Sequence, residues 1–290
     1  MITEQTLSTW VSIGITTKNR WHDLKITLEK LVETKLETLP ILIIDDGSDE
    51  PCPFNLKGFP LNIQLQRFTT SKGLIVRRNQ LAQTMQTKYY LSLDDDSFPV
   101  SGSLVEAVTF AESRNDLLCL AFPVYNPVMN VYQSQSRQKK PYQVRHFIGC
   151  GHLIHRPHFL SLGGYREELI HQGEEMEIAA RAFQRSLYCY HFPGFEIHHV
   201  ASNSGRNWQR MDFYGARNNV LWNDWFVPRS LKLIKQSRTL VSRVLHSVKV
   251  GRLGQVKGGL AGLSAIPKYK DKRESMSLEQ FRQWQHLPES

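Results

Sequence analysis

Tyr89–Ser97 has the sequence Tyr-Tyr-Leu-Ser-Leu-Asp-Asp-Asp-Ser, an apolar and aromatic run that ends in three consecutive carboxylates. The run is typical of a buried β-strand. Because side chains alternate between the two faces of an extended chain, we expect Asp94 and Asp96 to share one face and Asp95 to point away. Paired carboxylates repel each other unless a cation lies between them, and Mg²⁺ or Mn²⁺ prefers oxygen ligands. The stretch therefore predicts either a divalent-metal site or a solvated acidic turn.

The composition predicts one substantial globular core. The chain has 290 residues, of which 41% are hydrophobic and 22% are charged. Its four cysteines are widely spaced and include no CxxC pair, which favours a reducing compartment and no zinc site. The first residues do not resemble a signal peptide, and no apolar run has the length of a membrane span. We therefore expect a cytoplasmic protein, either free or peripheral on the inner face of a membrane.

The net charge of +9 is concentrated near the C-terminus. Residues 229–270 contain ten Lys or Arg and no Asp or Glu, which leaves the rest of the chain close to neutral. This distribution disfavours a protein that binds nucleic acid along its whole surface. It favours one local anionic partner.

The first hundred residues predict an α/β fold. Apolar runs bounded by polar turns predict strands, and apolar residues at helical spacing predict helices between them. The predicted strands cover 11–17, 39–44, 61–65 and 89–93, and the predicted helices cover 22–37 and 72–86. Strands that are connected by helices favour a parallel sheet.

Polar clusters follow three of the predicted strands. They are Thr16–Arg20, Asp45–Ser48 and Asp94–Asp96. Ligands of such sheets bind outside the carboxyl ends of the strands, where these clusters meet. Their convergence favours a functional site over three ordinary loops.

Motifs in a fixed order resemble the family 2 glycosyltransferases, which are inverting enzymes with the GT-A fold. The resemblance covers about Val11 to Val227, and its specificity lies in the order and spacing of motifs that are individually weak. The motifs are Ile15–Arg20, Ile44–Ser48, Gly73 with Arg77–Asn79, Asp94–Asp96, Phe147–Arg156, Gly163–Glu167, Gly173–Glu177 and Glu196–Val200.

The resemblance implies a GT-A mixed sheet flanked by helices, with a C-terminal helical extension. Residues 1–228 would form the catalytic domain, with a donor half at about 10–100 and an acceptor half at about 101–228. Residues 229–290 would form the basic extension. The implied reaction is inverting transfer of a hexosyl or deoxyhexosyl group from a UDP-, dTDP- or GDP-sugar, in synthesis of a bacterial polysaccharide or cell-surface glycan. The acceptor would be a hydroxyl of a glycan or lipid-linked glycan, and Mn²⁺ or Mg²⁺ would be the cofactor.

The resemblance also implies a set of donor-binding residues. An ionised carboxylate only accepts hydrogen bonds, so Asp46 or its neighbour Asp45 suits the imide N–H of uracil or thymine. The alternative for this pair is a turn that closes the strand. Gly73 and Arg77, with Arg78 beside them, open a helix whose N-terminus favours anions. The donor-binding set is Thr16, Arg20, Asp45, Asp46, Gly73, Arg77 and Asp95.

Asp94 and Asp96 would hold the metal of the implied site. The metal would offset the negative charge that grows on the departing diphosphate. His198 or His199 would add a ligand, and only one of the two can do so because adjacent strand residues point in opposite directions.

Glu175 occupies the position of the family's catalytic base, where the usual Glu-Asp pair is Glu-Glu in this chain. A carboxylate there would take the proton of the attacking hydroxyl. The alternative is an acidic residue that simply stabilises the first turn of a helix. The remaining implied contacts are Gly149, Gly151 and Glu174 for the acceptor, and Arg206, in the segment Ser204–Arg206, and Arg217 for phosphate.

The C-terminal segment contains an amphipathic helix. Val241, Val244, Leu245 and Val248 form an apolar stripe flanked by Lys and Arg. This pattern predicts an element that binds an anionic membrane surface, and the alternative is a helix that packs the stripe on the core. The glycines at 251–262 predict a pliable stretch, and Ser277–Phe281 predicts a short terminal helix.

Two other functions fit parts of the sequence. Asp94-Asp95-Asp96-Ser97 also matches the nucleophile loop of a haloacid-dehalogenase-type phosphohydrolase, although the required second acidic pair lies upstream instead of downstream. A non-catalytic membrane or RNA adaptor on a transferase fold is the other alternative.

Overall fold

The computed structural model describes residues 2–34, 36–200 and 207–290. These ranges contain twelve β-strands and ten α-helices, numbered here in chain order. The strands are β1 (Val11–Thr17), β2 (Pro40–Asp45), β3 (Asn62–Arg67), β4 (Tyr89–Asp94), β5 (Ser97–Gly102), β6 (Leu117–Ala121), β7 (Val124–Asn126), β8 (Val131–Ser134), β9 (Tyr142–Val144), β10 (His152–His155), β11 (Tyr188–His191) and β12 (Phe195–His199). The helices are α1 (Leu7–Trp10), α2 (Trp21–Val32), α3 (Leu74–Thr84), α4 (Leu104–Glu112), α5 (Arg156–Ser161), α6 (Glu174–Gln184), α7 (Trp208–Phe226), α8 (Arg229–Val250), α9 (Gly254–Ala265) and α10 (Leu278–His286).

A mixed eight-stranded sheet lies at the centre, in the order β3-β2-β1-β4-β10-β6-β11-β9. Strands β1 to β4 are mutually parallel, as the sequence predicts, whereas β10 runs antiparallel to both of its neighbours. A smaller sheet has the order β5-β12-β7-β8. Because only Asp95 and Asp96 separate β4 from β5, and β12 pairs with β5, the second sheet brings the end of β12 beside the aspartates.

Alternating side chains divide the apolar residues between two cores. Ile41 and Ile43 of β2 belong to the same buried cluster as the inward residues of α2 and α4. Leu42 and Ile44 belong to a second cluster with α3, α6, α7 and α10. Successive side chains of a buried strand point to opposite faces, so the apolar residues of β2 cover both faces of the central sheet.

The predicted elements of the first hundred residues are confirmed, with shifts at their ends. All four strands and both helices form within a few residues of the predicted limits. The largest difference is the first predicted helix, which ends at Val32 instead of residue 37. The backbone N–H groups of Glu33 and Thr34 donate to carbonyl oxygens only three residues back, and the Thr34 hydroxyl also donates to the carbonyl oxygen of Leu31, so the helix ends in a tighter turn.

The glycine-rich stretch after α8 is a packed helix, and the prediction of a pliable segment is wrong. Gly254, Gly258 and Gly262 recur every four residues on the side of α9 that faces α7. A Cβ atom built on Gly258 would lie 2.1 Å from the carbonyl oxygen of Phe213. The glycines therefore allow the two helix backbones to approach closely, as small residues do in other tight helix pairs.

The last helix closes the second core. Ser277 caps the N-terminus of α10 in a reciprocal pair with Gln280, which confirms the predicted terminal helix. Phe281 and Trp284 are buried among residues of α6 and α7. None of the helices in the described ranges combines the length and apolarity that crossing a membrane requires.

Replacing Gly258 with alanine is expected to lower the free energy of unfolding by about 1–3 kcal/mol through overpacking against Phe213. Alanine has a helix propensity about 1 kcal/mol more favourable than that of glycine. The expected change is therefore the cost of the clash less this gain. The control is Gly58→Ala, because a Cβ atom at Gly58 meets nothing within 4 Å. Urea unfolding of both variants tests the prediction, which is contradicted if Gly258→Ala is as stable as the control.

Candidate active site

The three polar clusters meet at one edge of the central sheet. Thr16 lies opposite Asp94 in the pairing of β1 with β4, and Thr17 lies opposite Asp45 in the pairing with β2. A cleft of about 220 Å³ opens there. Its lining includes Thr16, Thr17, Lys18, Arg20, Asp46, Arg77, Asp94 and Asp95.

Arg20 joins two neighbouring aspartates at the floor of the cleft. Its Nη1 lies 2.8 Å from Asp95 Oδ1, and its Nη2 donates to Asp96 Oδ2 at 2.6 Å. The expectation that Asp95 points away from Asp96 is therefore wrong, because the strand ends at Asp94 and the next two residues form a turn. Burial raises the pKa of Asp95 to about 8; Arg20 opposes that shift and the charge of Asp96 adds to it.

Asp45 and Asp46 are engaged in internal hydrogen bonds. Asp45 is fully buried, and its carboxylate accepts from the backbone N–H and hydroxyl of Ser48 and from Nε of Arg67. This is the strand-closing turn that the sequence leaves open as an alternative.

The carboxylate of Asp46 accepts four hydrogen bonds. They come from Ser71 Oγ, the backbone N–H groups of Lys72 and Gly73, and Nε of Arg77. Burial favours a higher pKa for Asp46, but these donors lower it below its usual range. Asp46 thus connects the end of β2 with the loop before α3, and Gly73 and Arg77 are two of the donors that make this connection.

The two arginines at the start of α3 have different environments. Arg77 is buried, stacks on Phe68 and donates to Asp46. Arg78 points toward the aspartates instead, because successive residues of a helix are about 100° apart. The sequence motif contains both arginines. In the structure, Arg77 supports the loop before α3 through Asp46, and Arg78 is a residue of the site.

Arg78 is the hub of the site. Its Nη2 donates to Asp94 Oδ1 at 2.7 Å and to the carbonyl oxygen of Gly149 at 2.8 Å. Its Nη1 lies 3.3 Å from Glu174 Oε1 and 3.4 Å from Glu175 Oε1. One buried guanidinium therefore connects the metal-ligand candidate of β4 with both glutamates that open α6.

Both glutamates have raised pKa values. Burial and the neighbouring Glu175 raise the pKa of Glu174 to about 8, against the effect of Arg78. Burial raises the pKa of Glu175, Arg78 lowers it and Asp94 raises it further. The side chain of Glu175 is 16% exposed, whereas that of Glu174 is 4% exposed. Glu175 is thus the more accessible of the two carboxylates.

Gly149 and Gly151 make room for protein atoms. A Cβ atom on Gly149 would lie 2.3 Å from Oε1 of Glu175. At Gly151 it would lie 2.6 Å from the side chain of Ile197, and the backbone there has a φ of +71°. Both positions therefore require glycine for packing within the site, independently of any acceptor.

The structure separates the two adjacent histidines. His199 enters the site, where its Nε2 lies 3.2 Å from Asp96 Oδ1. His198 lies on the other side of β12 and packs against Phe98 and Tyr125. Of the two histidines, His199 is therefore the ligand candidate.

Two residues that the sequence does not single out contact His199. Nδ1 of the ring lies 2.8 Å from Gln133 Oε1 and 3.2 Å from Cys150 Sγ. Asp94, Cys150 and His199 each offer a ligand atom, and these atoms all lie within 4.8 Å of one another. The sequence gives only a weak signal for Cys150, its place between two glycines, and none for Gln133.

The ligand atoms gathered around His199 suit a divalent cation. Asp96 Oδ1 is buried and has no hydrogen bond of regular geometry to any residue that the structure describes. Burial favours a lower pKa for His199, but its contacts with Asp96 and Cys150 raise that pKa to about 10. The surroundings of the ring thus favour positive charge at this position. Carboxylate oxygens are ligands that Mg²⁺ and Mn²⁺ both prefer.

The other predicted contacts divide into three cases. Thr16 lines the cleft, and its hydroxyl is buried without a partner among the described residues. Arg217 is buried and donates to Glu168 and Asn218, so it braces α7. Ser204–Arg206 lies outside the described residues.

Solved glycosyltransferase structures have the same fold. The mannosyltransferase PcManGT from Pyrobaculum calidifontis, in complex with GDP-Man and Mn²⁺, matches 94% of this chain and 77% of its own at 14% identity, with a TM-score of 0.57. S. aureus TarS 1-349 with UDP-GlcNAc matches 95% and 78% at 13% identity, with a TM-score of 0.55. GalNAc-T7 with UDP, GalNAc and Mn²⁺ matches 68% of this chain at 18% identity, with a TM-score of 0.56. This chain spans 44% of that GalNAc-T7 chain and 39% of a longer TarS chain.

The sequence itself matches a family model. The model describes glycosyl transferase family 2 and covers residues 12–169, more than half of the chain. No curated protein sequence matches. The family match excludes the haloacid-dehalogenase interpretation of the Asp94–Ser97 loop. The chain therefore belongs to glycosyl transferase family 2 and has the GT-A fold.

Proposed function

We propose that this protein transfers a sugar, with inversion, from a nucleotide-diphosphate sugar to a hydroxyl of a glycan or lipid-linked glycan. The observation that supports the proposal best is the convergence of Asp94, Glu174 and Glu175 on Arg78 beside the cleft. A candidate cation site and a candidate base thus lie on opposite sides of one guanidinium. A single displacement at the sugar C1 needs both groups at close range.

The donor would bind in the cleft at the ends of β1 and β4. Thr16 offers a buried hydroxyl that has no hydrogen-bond partner in the described part of the chain, and Arg20 has a side chain that is 44% exposed and can contact phosphate. Asp45 and Asp46 support the floor of this cleft through their internal hydrogen bonds. Relatives in the fold have been described with UDP, UDP-GlcNAc or GDP-Man, which supports a nucleotide-sugar donor without selecting the base.

Asp94 and His199 would hold Mn²⁺ or Mg²⁺, with Cys150 in the same cluster of ligand atoms. Asp96, which lies outside that cluster, would join them through the oxygen that faces Nε2 of His199. When bound, the ion offsets the negative charge that develops on the diphosphate as the sugar leaves. PcManGT and GalNAc-T7 have each been described with Mn²⁺. Gln133 accepts from Nδ1 of His199, which leaves Nε2 as the nitrogen that faces Asp96.

Glu175 would act as the base. As the acceptor oxygen attacks C1, its proton moves to the Glu175 carboxylate and the nucleoside diphosphate departs with the bonding electrons. A base that works near neutral pH benefits from a raised carboxyl pKa, which burial provides here. Glu174, which is less accessible, would position the acceptor.

We further propose that residues 1–228 perform catalysis, and that the basic extension at 229–290 keeps the protein at the cytoplasmic face of an anionic membrane. Lipid-linked glycans are presented at such a surface. The charge of residues 229–270 supports this placement.

Donor binding tests the proposed function. Thermal denaturation with UDP-, dTDP- and GDP-sugars plus Mn²⁺ is expected to identify one donor that stabilises the protein by about 2.7 kcal/mol at 100 times its Kd. Asp96→Asn should lose the Mn²⁺-dependent part of this stabilisation and the transfer activity. Asp271→Asn is the control, since the Asp271 side chain is 67% exposed. Stabilisation without donor hydrolysis or transfer by the wild type would indicate a binding adaptor instead of an enzyme.

The variant Glu175→Gln is expected to bind donor normally. Its kcat should be about 10²–10⁴-fold lower, because no carboxylate is present at this position to take the proton of the acceptor hydroxyl. Glu174→Gln is the matched comparison and should mainly raise KM for the acceptor. Steady-state kinetics of the two variants distinguish the roles. Wild-type turnover in Glu175→Gln would place the base elsewhere.

Gln133→Leu is expected to weaken Mn²⁺ binding about tenfold, because the hydrogen bond that orients His199 is removed. Gln133→Glu retains an acceptor and should bind Mn²⁺ at least as well as the wild type. Isothermal titration with Mn²⁺ measures both, with Gln135→Leu, two residues away on the chain, as the control. Equal affinity of Gln133→Leu and the wild type would show that Gln133 does not orient the histidine.

A further inference from the structure

Helix α8 presents its large apolar side chains to solvent. Leu233 and Val248 are each 78% exposed, and the other members of this surface are exposed as well. At about 100° per residue, all of them fall within about 120° of the helix circumference. We call this surface the outer face of α8, and it consists of Leu233, Ile234, Val241, Val244, Leu245 and Val248.

The opposite face of α8 is polar and faces the protein. Lys232 contacts Asp224, and Gln236 donates to the carbonyl oxygen of Val220. Farther along the helix, Thr239 accepts from Asn223, and Arg243 donates to Gln255. The alternative in which the apolar stripe packs on the core is therefore wrong, because these contacts hold the stripe outward.

The charge around the outer face is uniformly positive. Arg238 and Lys249 are exposed and lie next to the stripe on the helix circumference. Residues 229–270 contain no Asp or Glu. A second copy of this chain docking the same face would bring two cationic surfaces together without a carboxylate between them. An anionic lipid surface instead supplies apolar volume and negative charge together.

We propose that the outer face of α8 inserts into the interface of a membrane that contains anionic phospholipid, with Arg238 and Lys249 at the lipid phosphates. This inference names the surface and lipid class for the membrane placement in the proposed function, on which it rests. It does not depend on the transfer reaction. The helix lies along the membrane surface, with its polar face toward α7 and α9.

Vesicle cosedimentation of the full-length protein tests the inference. The wild type is expected to bind vesicles of phosphatidylglycerol and phosphatidylcholine, and to bind phosphatidylcholine vesicles far more weakly. The variant Leu245→Glu/Val248→Glu should lower the partition coefficient by about tenfold or more. The matched control is Val128→Glu/Met129→Glu, which adds the same charges at exposed apolar residues between β7 and β8. It should bind as the wild type does.

A second pair of substitutions isolates the charge. Arg238→Gln/Lys249→Gln should weaken binding to the anionic vesicles and reduce the sensitivity of that binding to salt. Equal vesicle binding by the wild type and Leu245→Glu/Val248→Glu would overturn the inference. It would also be overturned if the wild type were a dimer in solution that this variant dissociates, with no vesicle binding by either protein.

Donor stabilisation is measured on the same samples, so the two proposals are tested separately. A protein that binds donor but no vesicles contradicts only the membrane inference. A protein that binds anionic vesicles through α8 but no nucleotide sugar supports the membrane inference and contradicts the proposed donor.

Discussion

Arg78 gathers carboxylates from two distant segments around one buried guanidinium. Asp94 ends β4, whereas Glu174 and Glu175 open α6, and each would repel the others in a site with little water. The guanidinium offers donors in a fixed plane, so it contacts all three carboxylates together with the carbonyl of Gly149. Removing such a cation from a buried group costs about 3–5 kcal/mol, since the charges left behind are uncompensated. The relative positions of α3, β4 and α6 therefore depend on this contact.

Of the pairs Asp45–Asp46, Arg77–Arg78 and His198–His199, two divide their roles at the site. In the Asp45–Asp46 pair, both carboxylates are used to hold loops, to Arg67 and to Arg77. In the Arg77–Arg78 pair, only the second residue reaches the carboxylates of the site. In the His198–His199 pair, the strand directs one ring to the aspartates and the other to an aromatic cluster. Adjacent residues on a helix or strand point in different directions, so Arg77–Arg78 and His198–His199 each supply one residue to the site and one to its surroundings.

The C-terminal helices combine two unusual packing choices. Glycines on α9 bring its backbone close against α7. Helix α8 then rests on α7 and α9 through polar contacts, together with Leu231 and Leu240, and leaves its other large apolar residues exposed. Most of the apolar surface that usually holds a helix on a protein thus faces solvent here. The outer face of α8 is thus free for contact with another phase.

The sequence by itself determined the family, the parallel arrangement of the first four strands and the edge of the sheet where the polar clusters meet. These features follow from local periodicity and from the order of short motifs, which are properties of neighbouring residues. Only the tertiary structure decided that Arg78, Cys150 and Gln133 join the site, that His199 rather than His198 does so, and that the stripe of α8 faces outward. These features depend on contacts between segments that are far apart in the chain, and on the residue at which a strand ends and its side chains no longer alternate. A local sequence pattern contains neither kind of information.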